Sequence, residues 1–494
     1  MFLGIDCGTQ GTKALLVDDS FAVVGRGYAG HELIERPGGA REQDPAWWVE
    51  AMILAVRQAV ASAPADIALH AIAVSGQQHG LVVLDEAMQV IRPAKLWNDT
   101  ETEPQNRELI ERFGGREEFL RRFGIVPLTG YTASKLLWLA QSEPENFARV
   151  RHILLPHEYL NFWLTGELRA EYGDASGTAY FNVRTRQWSR EVLDSIDGGT
   201  GQLFAALPPL IGPTDSVGSL QARAASELGL TAGCLVAAGG GDNMMGAIGT
   251  GNVRAGVVTL SLGTSGTVYS FSPEMPQNAG VEMAPFCSSS GGWLPLVCTM
   301  NATNVVSATV QLVGKTVADI EDAMESTPPG ADGLIFLPFI NGERTPDLPQ
   351  ASGSLHGITA MNLTSAHLIR AAVEGASFGL LEGLDKVLAG GHAEIIQVIG
   401  GGARSKAWRQ LLADASGATI QVPVEEEAGC LGAAAQAAVA YNRANGQNTD
   451  FEDVTQHLVR INESATCTPA PERRLAYNQA RTLFLEKRRQ VHGI

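Results

Sequence analysis

The chain is poor in several features that mark whole protein classes. Cysteine is scarce: six residues among 494, at positions 7, 234, 287, 298, 430 and 467. No two form a Cys-x-x-Cys pair, and their spacing suits neither a disulfide framework nor a thiolate zinc site. They read as small apolar side chains in a reducing cytoplasm. No apolar run reaches the ~20 residues that a membrane span requires. A basic leader is not expected either, because Asp6 interrupts the first apolar segment. Basic residues are in deficit, 36 against 53 acidic ones, for a net charge of −17. That argues against nucleic acid or an anionic membrane as the main partner. A phosphate ligand stays open, since glycine loops, helix N-termini and a bound cation hold phosphate inside acidic proteins. No His-x-x-x-His or similar metal-ligand cluster occurs. Thr309 stands where a P-loop ending in Gly314-Lys315-Thr316 needs its first glycine, so that class is unsupported.

What the chain has in number is glycine, 55 residues gathered in short loops. At roughly 100–200 residues per domain, the length predicts two large domains or three to four small ones. Strand-like 2–5, a Gly/Thr turn, and strand-like 14–17 and 22–26 predict an opening meander. Asp44-Pro45 reads as N-cap and first helical residue, with apolar spacing continuing to about residue 63. Residues 71–75 form a strand ending in Gly76-Gln77-Gln78-His79-Gly80. Helix formers and aromatics enrich residues 101–204. Strand 235–238 runs into Gly239-Gly240-Gly241-Asp242-Asn243 and a small-residue helix start. Strands 257–262 and 268–271 then flank Gly263-Thr264-Ser265-Gly266-Thr267. That turn repeats Gly8-Thr9-Gln10-Gly11-Thr12, so the chain reads as a duplication with a boundary near 245. Helix 365–388, strand 395–399, helix 406–416 closed by Gly417, a small-residue helix over 431–441 and a terminal helix from about 474 complete the second half.

Four clusters carry chemistry. The first Gly/Thr loop, with Thr9, Gly11, Thr12 and Lys13, offers backbone N–H groups and hydroxyls to an anion. Alone it is equally an ordinary hairpin turn, but the second copy at Gly263 and Thr264 makes a two-sided polyphosphate clamp. Asp6 beside such a loop is tolerable when a cation such as Mg²⁺ lies between. Asp242 is either an N-cap or a general base for an alcohol in phosphoryl transfer. The segment Gly400-Gly401-Gly402-Ala403-Arg404-Ser405 between strand and helix is a nucleotide loop or a plain βα turn. Gln77, Gln78 and His79 form a hydroxyl-binding set suited to sugar. Trp97 and Asn98 add an aromatic face and polar contacts, or form a packed turn.

Together these motifs resemble the FGGY carbohydrate kinases of the actin/Hsp70-like ATPase superfamily, and within them the bacterial xylulokinases. Glu42-Gln43-Asp44-Pro45, Leu96-Trp97-Asn98-Asp99, Asp174-Ala175-Ser176-Gly177-Thr178, Gly342-Glu343-Arg344-Thr345-Pro346 and two signature-like stretches, 131–139 and 353–374, carry the same likeness over nearly the whole chain. The resemblance implies an α/β fold of two duplicated actin-like (ribonuclease H-like) ATPase domains about a cleft. Residues 1–245 would hold sugar and 246–494 ATP. It implies Asp242 as catalytic base and Asp6 as the carboxylate toward Mg²⁺. Gln78, His79, Trp97, Asn98 and Asp242 would face the sugar. Thr9, Gly11, Thr12, Lys13, Gly263, Thr264, Gly401, Gly402 and Ala403 would face the nucleotide. The implied reaction is ATP-dependent phosphorylation of D-xylulose at O5 by a cytoplasmic homodimer. Gln78 departs from the resemblance, since Met is usual there in xylulokinases. Another ketose or polyol (ribulose, fuculose, gluconate, glycerol) is the near alternative, and a non-kinase actin-like ATPase the remote one.

Overall fold

The computed structural model describes residues 1–64 and 68–494. Strands β1 (Phe2–Cys7), β2 (Gly11–Val17) and β3 (Val23–Gly30) form an antiparallel meander. Helix α1 (Pro45–Ala61) begins where the sequence predicts, with Asp44 accepting from Ala46 N and proline at its first turn. The chain returns as β4 (Ala71–Gly76), parallel to β1. A helical region follows, including α2 (Thr132–Ser142), α3 (Pro156–Thr165) and the short α4 (Tyr172–Ala175). Strands β5 (Ser216–Ser219), β6 (Leu235–Ala237) and β7 (Gly240–Gly241) complete the first sheet, before α5 (Asp242–Gly249). Its order is β5-β6-β4-β1-β2-β3, with β7 also paired to β4.

The second sheet repeats this plan. It contains β8 (Val257–Leu262), β9 (Gly266–Ser270), β10 (Ala284–Cys287), β11 (Trp293–Thr299), β12 (Ile395–Ile399) and β13 (Thr419–Gln421), in the order β10-β11-β9-β8-β12-β13. Helices α6 (Ser365–Leu388), α7 (Lys406–Ser416), α8 (Ala428–Ala444) and α9 (Pro471–His492) belong to this half of the chain. In each sheet the founding strand has an antiparallel hairpin partner on one side and a parallel strand on the other: β1 between β2 and β4, β8 between β9 and β12. The duplicated turn therefore joins equivalent strands.

β1 is buried on both faces because helices cover both. Leu3, Ile5 and Cys7 pack with Trp48, Met52 and Val56 of α1. On the other face Phe2 packs with Leu431 and Ala434 of α8. At Gly4 an added Cβ would lie 1.9 Å from the Cys430 carbonyl oxygen, so α8 rests directly on the strand. α8 comes from the second half of the sequence, yet it covers the first sheet and crosses α5. At that crossing a Cβ on Gly249 would meet Ala428 O at 1.9 Å, and one on Gly432 would meet Met245 O at 1.8 Å. The small residues of α8 are what this double contact requires. Residue 245 falls inside α5. Gly314-Lys315-Thr316 follows a helix, Thr303–Leu312, where a P-loop follows a strand. All six cysteines are free, and among the described residues no helix is long and apolar enough to cross a membrane.

Candidate active site

Strand register builds the floor of the site. Asp6 of β1 pairs with Ser75 of β4, and Ser75 pairs with Gly240 of β7. Neighbouring strands lie ~4.8 Å apart, so Asp6, Ser75 and the lead into Asp242 share one sheet end. Ser75 Oγ donates to Asp6 Oδ1 at 2.6 Å. Burial raises the Asp6 carboxyl above its ordinary value, against the Ser75 hydroxyl and the Lys13 charge, while Glu427 adds to the rise. The backbone of α8 closes over it: a Cβ on Gly429 would lie 2.8 Å from Asp6 Cγ.

Asp242 opens α5 and keeps partial access to solvent. Burial pushes its carboxyl up to about 7, and the charges of Asp6 and Asp174 push the same way. The Asn243 backbone N–H at 2.7 Å and side-chain amide at 3.0 Å oppose them. A carboxylate poised near neutrality suits proton abstraction at cellular pH. The three glycines before it are explained by packing. Gly239 has φ +77° and lies against Val74 O, Gly240 against Met245 and Ser289, and Gly241 against Gln78.

His79 sits one residue past Gln78 in the left-handed region, at φ 64°. Its ring lies tilted against Tyr131 with centroids 4.6 Å apart, and stacks on Phe286 at 5.9 Å. Gly177 makes room, since a Cβ there would be 1.8 Å from the imidazole. Burial pulls the imidazole down to about 3, so it is neutral in the working range. Its Nδ1 lies 3.8 Å from Asp174 Oδ1, and Asp174 Oδ2 meets the buried His157 Nδ1 at 3.1 Å. Lys135 on α2 holds the His79 and Gly130 carbonyls at 2.5 and 2.6 Å, and burial lowers its ammonium to about 7.

The first Gly/Thr loop is braced from behind. Trp48 Nε1 donates to Gln43 Oε1, which also receives Gln77 Nε2, while Gln43 Nε2 donates to Thr9 O. Thr9 Oγ1 donates to Gln77 Oε1 at 3.0 Å and accepts from Trp97 Nε1 at 2.9 Å. Thr12 is fully buried, its hydroxyl 2.8 Å from His31 Nε2. Both threonine hydroxyls are thus committed inside the protein, and the loop's offer to an anion is backbone. Trp97 itself is 46% exposed, and Asn98 Oδ1 is buried without a partner among the described residues. Below this turn Glu42, Asp99 and Glu101 come close enough to hold a metal, but the Lys95 ammonium already lies among them.

On the second sheet the 400–404 loop docks on the end of β8. A Cβ on Gly400 would meet Leu262 O at 2.8 Å, and one on Gly402 would meet the Leu262 side chain at 2.8 Å. Gly263 O receives the Thr303 hydroxyl at 2.7 Å, so Gly263 and Thr264 lie beside this loop. A cavity of about 610 Å³ opens here, lined by Gly401, Ala403, Arg409, Glu427 and Asn462, and by Lys13 from the first half. Gly402 is buried behind it. Lys13 Nζ pairs with Glu427 at 2.5 Å. The structure thus brings together Asp6, Lys13, Gln78, His79 and Asp242 at one sheet end, with Gly401 and Ala403 facing Lys13. Sequence reasoning missed Asn243, Lys135 and Glu427 as parts of the site. A polar residue beside Asp242, a lysine within an apolar helix, and an acid just ahead of a small-residue helix were the available signals.

Comparison with known proteins shows the family and the fold. Residues 1–249 match the FGGY family of carbohydrate kinases, N-terminal domain, and residues 258–441 its C-terminal domain. The chain is 42% identical over 499 residues to a xylulose kinase of Haemophilus influenzae, covering all of both chains. A solved structure described as a xyloylose kinase from Brucella ovis superposes with TM-score 0.91 at 31% identity, over 100% of this chain and 99% of that one. A gluconate kinase from Lactobacillus acidophilus superposes with TM-score 0.90 at 25% identity, over 99% and 97%. The duplicated sheets, the cleft-floor carboxylates and these matches have one meaning: the chain belongs to the FGGY family of carbohydrate kinases.

Proposed function

We propose that the protein transfers the γ-phosphoryl group of ATP to O5 of D-xylulose, with Asp242 as general base. The observation that carries this reading is Asp242 itself: a partly open carboxylate at the sheet end, held near pH 7 by burial and by Asp6 and Asp174. It takes the proton of the 5-hydroxyl as that oxygen attacks the γ-phosphorus. The bond from phosphorus to the β,γ-bridging oxygen breaks, and ADP leaves with that electron pair. Neutral His79, packed against Tyr131 and Phe286, supplies a directional sugar contact without charge, and Trp97 gives the sugar an apolar face. Residues 1–245 carry these groups, and residues 246–494 carry most of the nucleotide cavity. Lys13 and the 8–12 turn meet the phosphates from one side, Gly263, Thr264 and the 401–403 loop from the other. Asp6, with Ser75 on Oδ1 alone, fits a hard divalent cation, and Mg²⁺ there would offset charge on the transferring phosphate.

The substrate assignment is supported by the 42% identity to a named xylulose kinase. The comparable superposition on a gluconate kinase makes an aldonate or another polyol the second reading, because this fold serves several sugars. A sugar panel with coupled ADP detection, run on wild type and Asp242→Ala, separates them. D-xylulose should give the highest kcat/KM, and Asp242→Ala should lose about 10²–10⁴-fold in kcat while remaining folded. A better kcat/KM on gluconate would reject xylulose; near-normal kcat in Asp242→Ala would reject the base.

A further inference from the structure

Gln78 and His79 leave β4 together, but the Gln78 amide is spent at both ends. Its Oε1 accepts from Asn243 Nδ2 at 2.8 Å, and its Nε2 lies 3.2 Å from the Met244 sulfur. Exchanging the amide atoms would set Nε2 against Asn243 Nδ2, two donors face to face, so the partners fix the orientation. Asn243 Nδ2 is shared: it also donates to Asp242 Oδ1 at 3.0 Å. The Asn243 backbone N–H reaches the same oxygen at 2.7 Å. Gln78 is 6% exposed. The third glycine of 239–241 makes its place, since a Cβ on Gly241 would lie 2.8 Å from Gln78 Cγ and 2.9 Å from Nε2. The residue immediately before Asp242 is thus hollowed out for the Gln78 amide.

We infer that Gln78 is a positioning residue for Asp242 rather than a sugar ligand: its carbonyl oxygen holds the Asn243 amide on Asp242 Oδ1. With Oδ1 held by two N–H groups, the carboxylate cannot rotate freely, and Oδ2 is the oxygen left for the substrate proton. An apolar side chain at position 78 would fill the same space but release the Asn243 amide, and part of the preorganisation of the base would go with it. The inference rests on the reading of Asp242 as general base.

The test is a double-mutant cycle in the full chain with D-xylulose and ATP, using Gln78→Met, Asn243→Ala and the pair. Sugar affinity is read separately, without nucleotide, from tryptophan fluorescence. Gln78→Met should lower kcat about tenfold with sugar KM and affinity changed less than about twofold. In the Asn243→Ala background the same change should cost nothing more, since Gln78 acts through Asn243. A tenfold weaker sugar affinity at unchanged kcat, or a loss that multiplies fully on Asn243→Ala, would overturn the inference. Gln78→Ala repeats the measurement if Gln78→Met does not fold. Asp242→Asn is run alongside: retained turnover there defeats the base itself, whereas its loss with a fully additive cycle defeats only the role of Gln78.

Discussion

At the residue scale, Asp242 stores a conflict between stability and chemistry. A carboxylate at a helix N-terminus is ordinarily favoured. Here burial, Asp6 and Asp174 outweigh that and raise it from 3.8 to about 7. A carboxyl whose folded value is raised binds its proton more tightly in the folded state. Its ionised form therefore costs stability, an effect that grows as pH rises from 3.8 and is complete above about pH 7. Two consequences have the same origin. kcat/KM should fall about tenfold per unit below pH ~7, as the base becomes protonated. Asp242→Asn should melt above wild type near pH ~8, with the gain shrinking as pH falls toward ~5. A pH–rate profile with paired melting curves checks both; an acid limb below pH ~5, or no gain in melting temperature at pH ~8, contradicts the assigned environment.

At the element scale, the α5–α8 crossing is where sequence and packing meet most tightly. Gly432 and Gly379 are both helical glycines, but a Cβ on Gly432 would strike a carbonyl at 1.8 Å, whereas one on Gly379 would meet nothing within 4 Å. Identical substitutions should therefore have opposite signs. Gly379→Ala should stabilise by about 0.5–1 kcal/mol through backbone entropy. Gly432→Ala should destabilise by about 1–3 kcal/mol through overpacking, as read by thermal or denaturant unfolding. Equal effects would mean that the crossing yields. This contrast also shows what the sequence made legible. Helices Ser365–Leu388 and Lys406–Ser416, the Gly417 cap, the Asp44 cap and strands Val257–Leu262 and Ile395–Ile399 lie on the bounds that local pattern predicts. Each is set by neighbours within a few residues. The duplicated turn and Asp6 and Asp242 were legible for the same reason. The placement of α8 on the other half's sheet was not, because it depends on Gly4, Gly249 and Gly432, far apart in sequence. Nor was the commitment of the Thr9 and Thr12 hydroxyls to Gln77 and His31.

At the scale of the whole molecule, the two halves meet through the α5–α8 crossing, through a buried apolar cluster that joins Phe286, Leu294 and Leu296 to the helical region of the first half, and through a few ion pairs. Lys13–Glu427 at 2.5 Å, Arg26–Glu425 at 2.5 Å and Arg116–Asp347 at 2.9 Å span the halves. Such pairs contribute about 0–1 kcal/mol each, too little to lock a cleft. What keeps the halves in register is α8 wedged between α5 and the first sheet, together with the apolar cluster around Phe286 and Leu294. Lys13 then has a different task from holding the fold. Among the described residues it is the one residue of the first half lining the proposed nucleotide cavity, in a protein of net charge −17 and beside Glu425, Glu426 and Glu427. An anionic nucleotide entering there meets acidic side chains, and Lys13 can exchange Glu427 for phosphate without leaving the site. Lys13→Ala should raise the KM for ATP by about tenfold, with sugar affinity and melting temperature little changed, because the single pair it breaks is only half-buried and the sugar floor is built by other residues. A weakened sugar affinity with normal ATP saturation would place Lys13 on the wrong side of the cleft. If instead melting temperature drops sharply, the charges rather than the helix crossing hold the halves together.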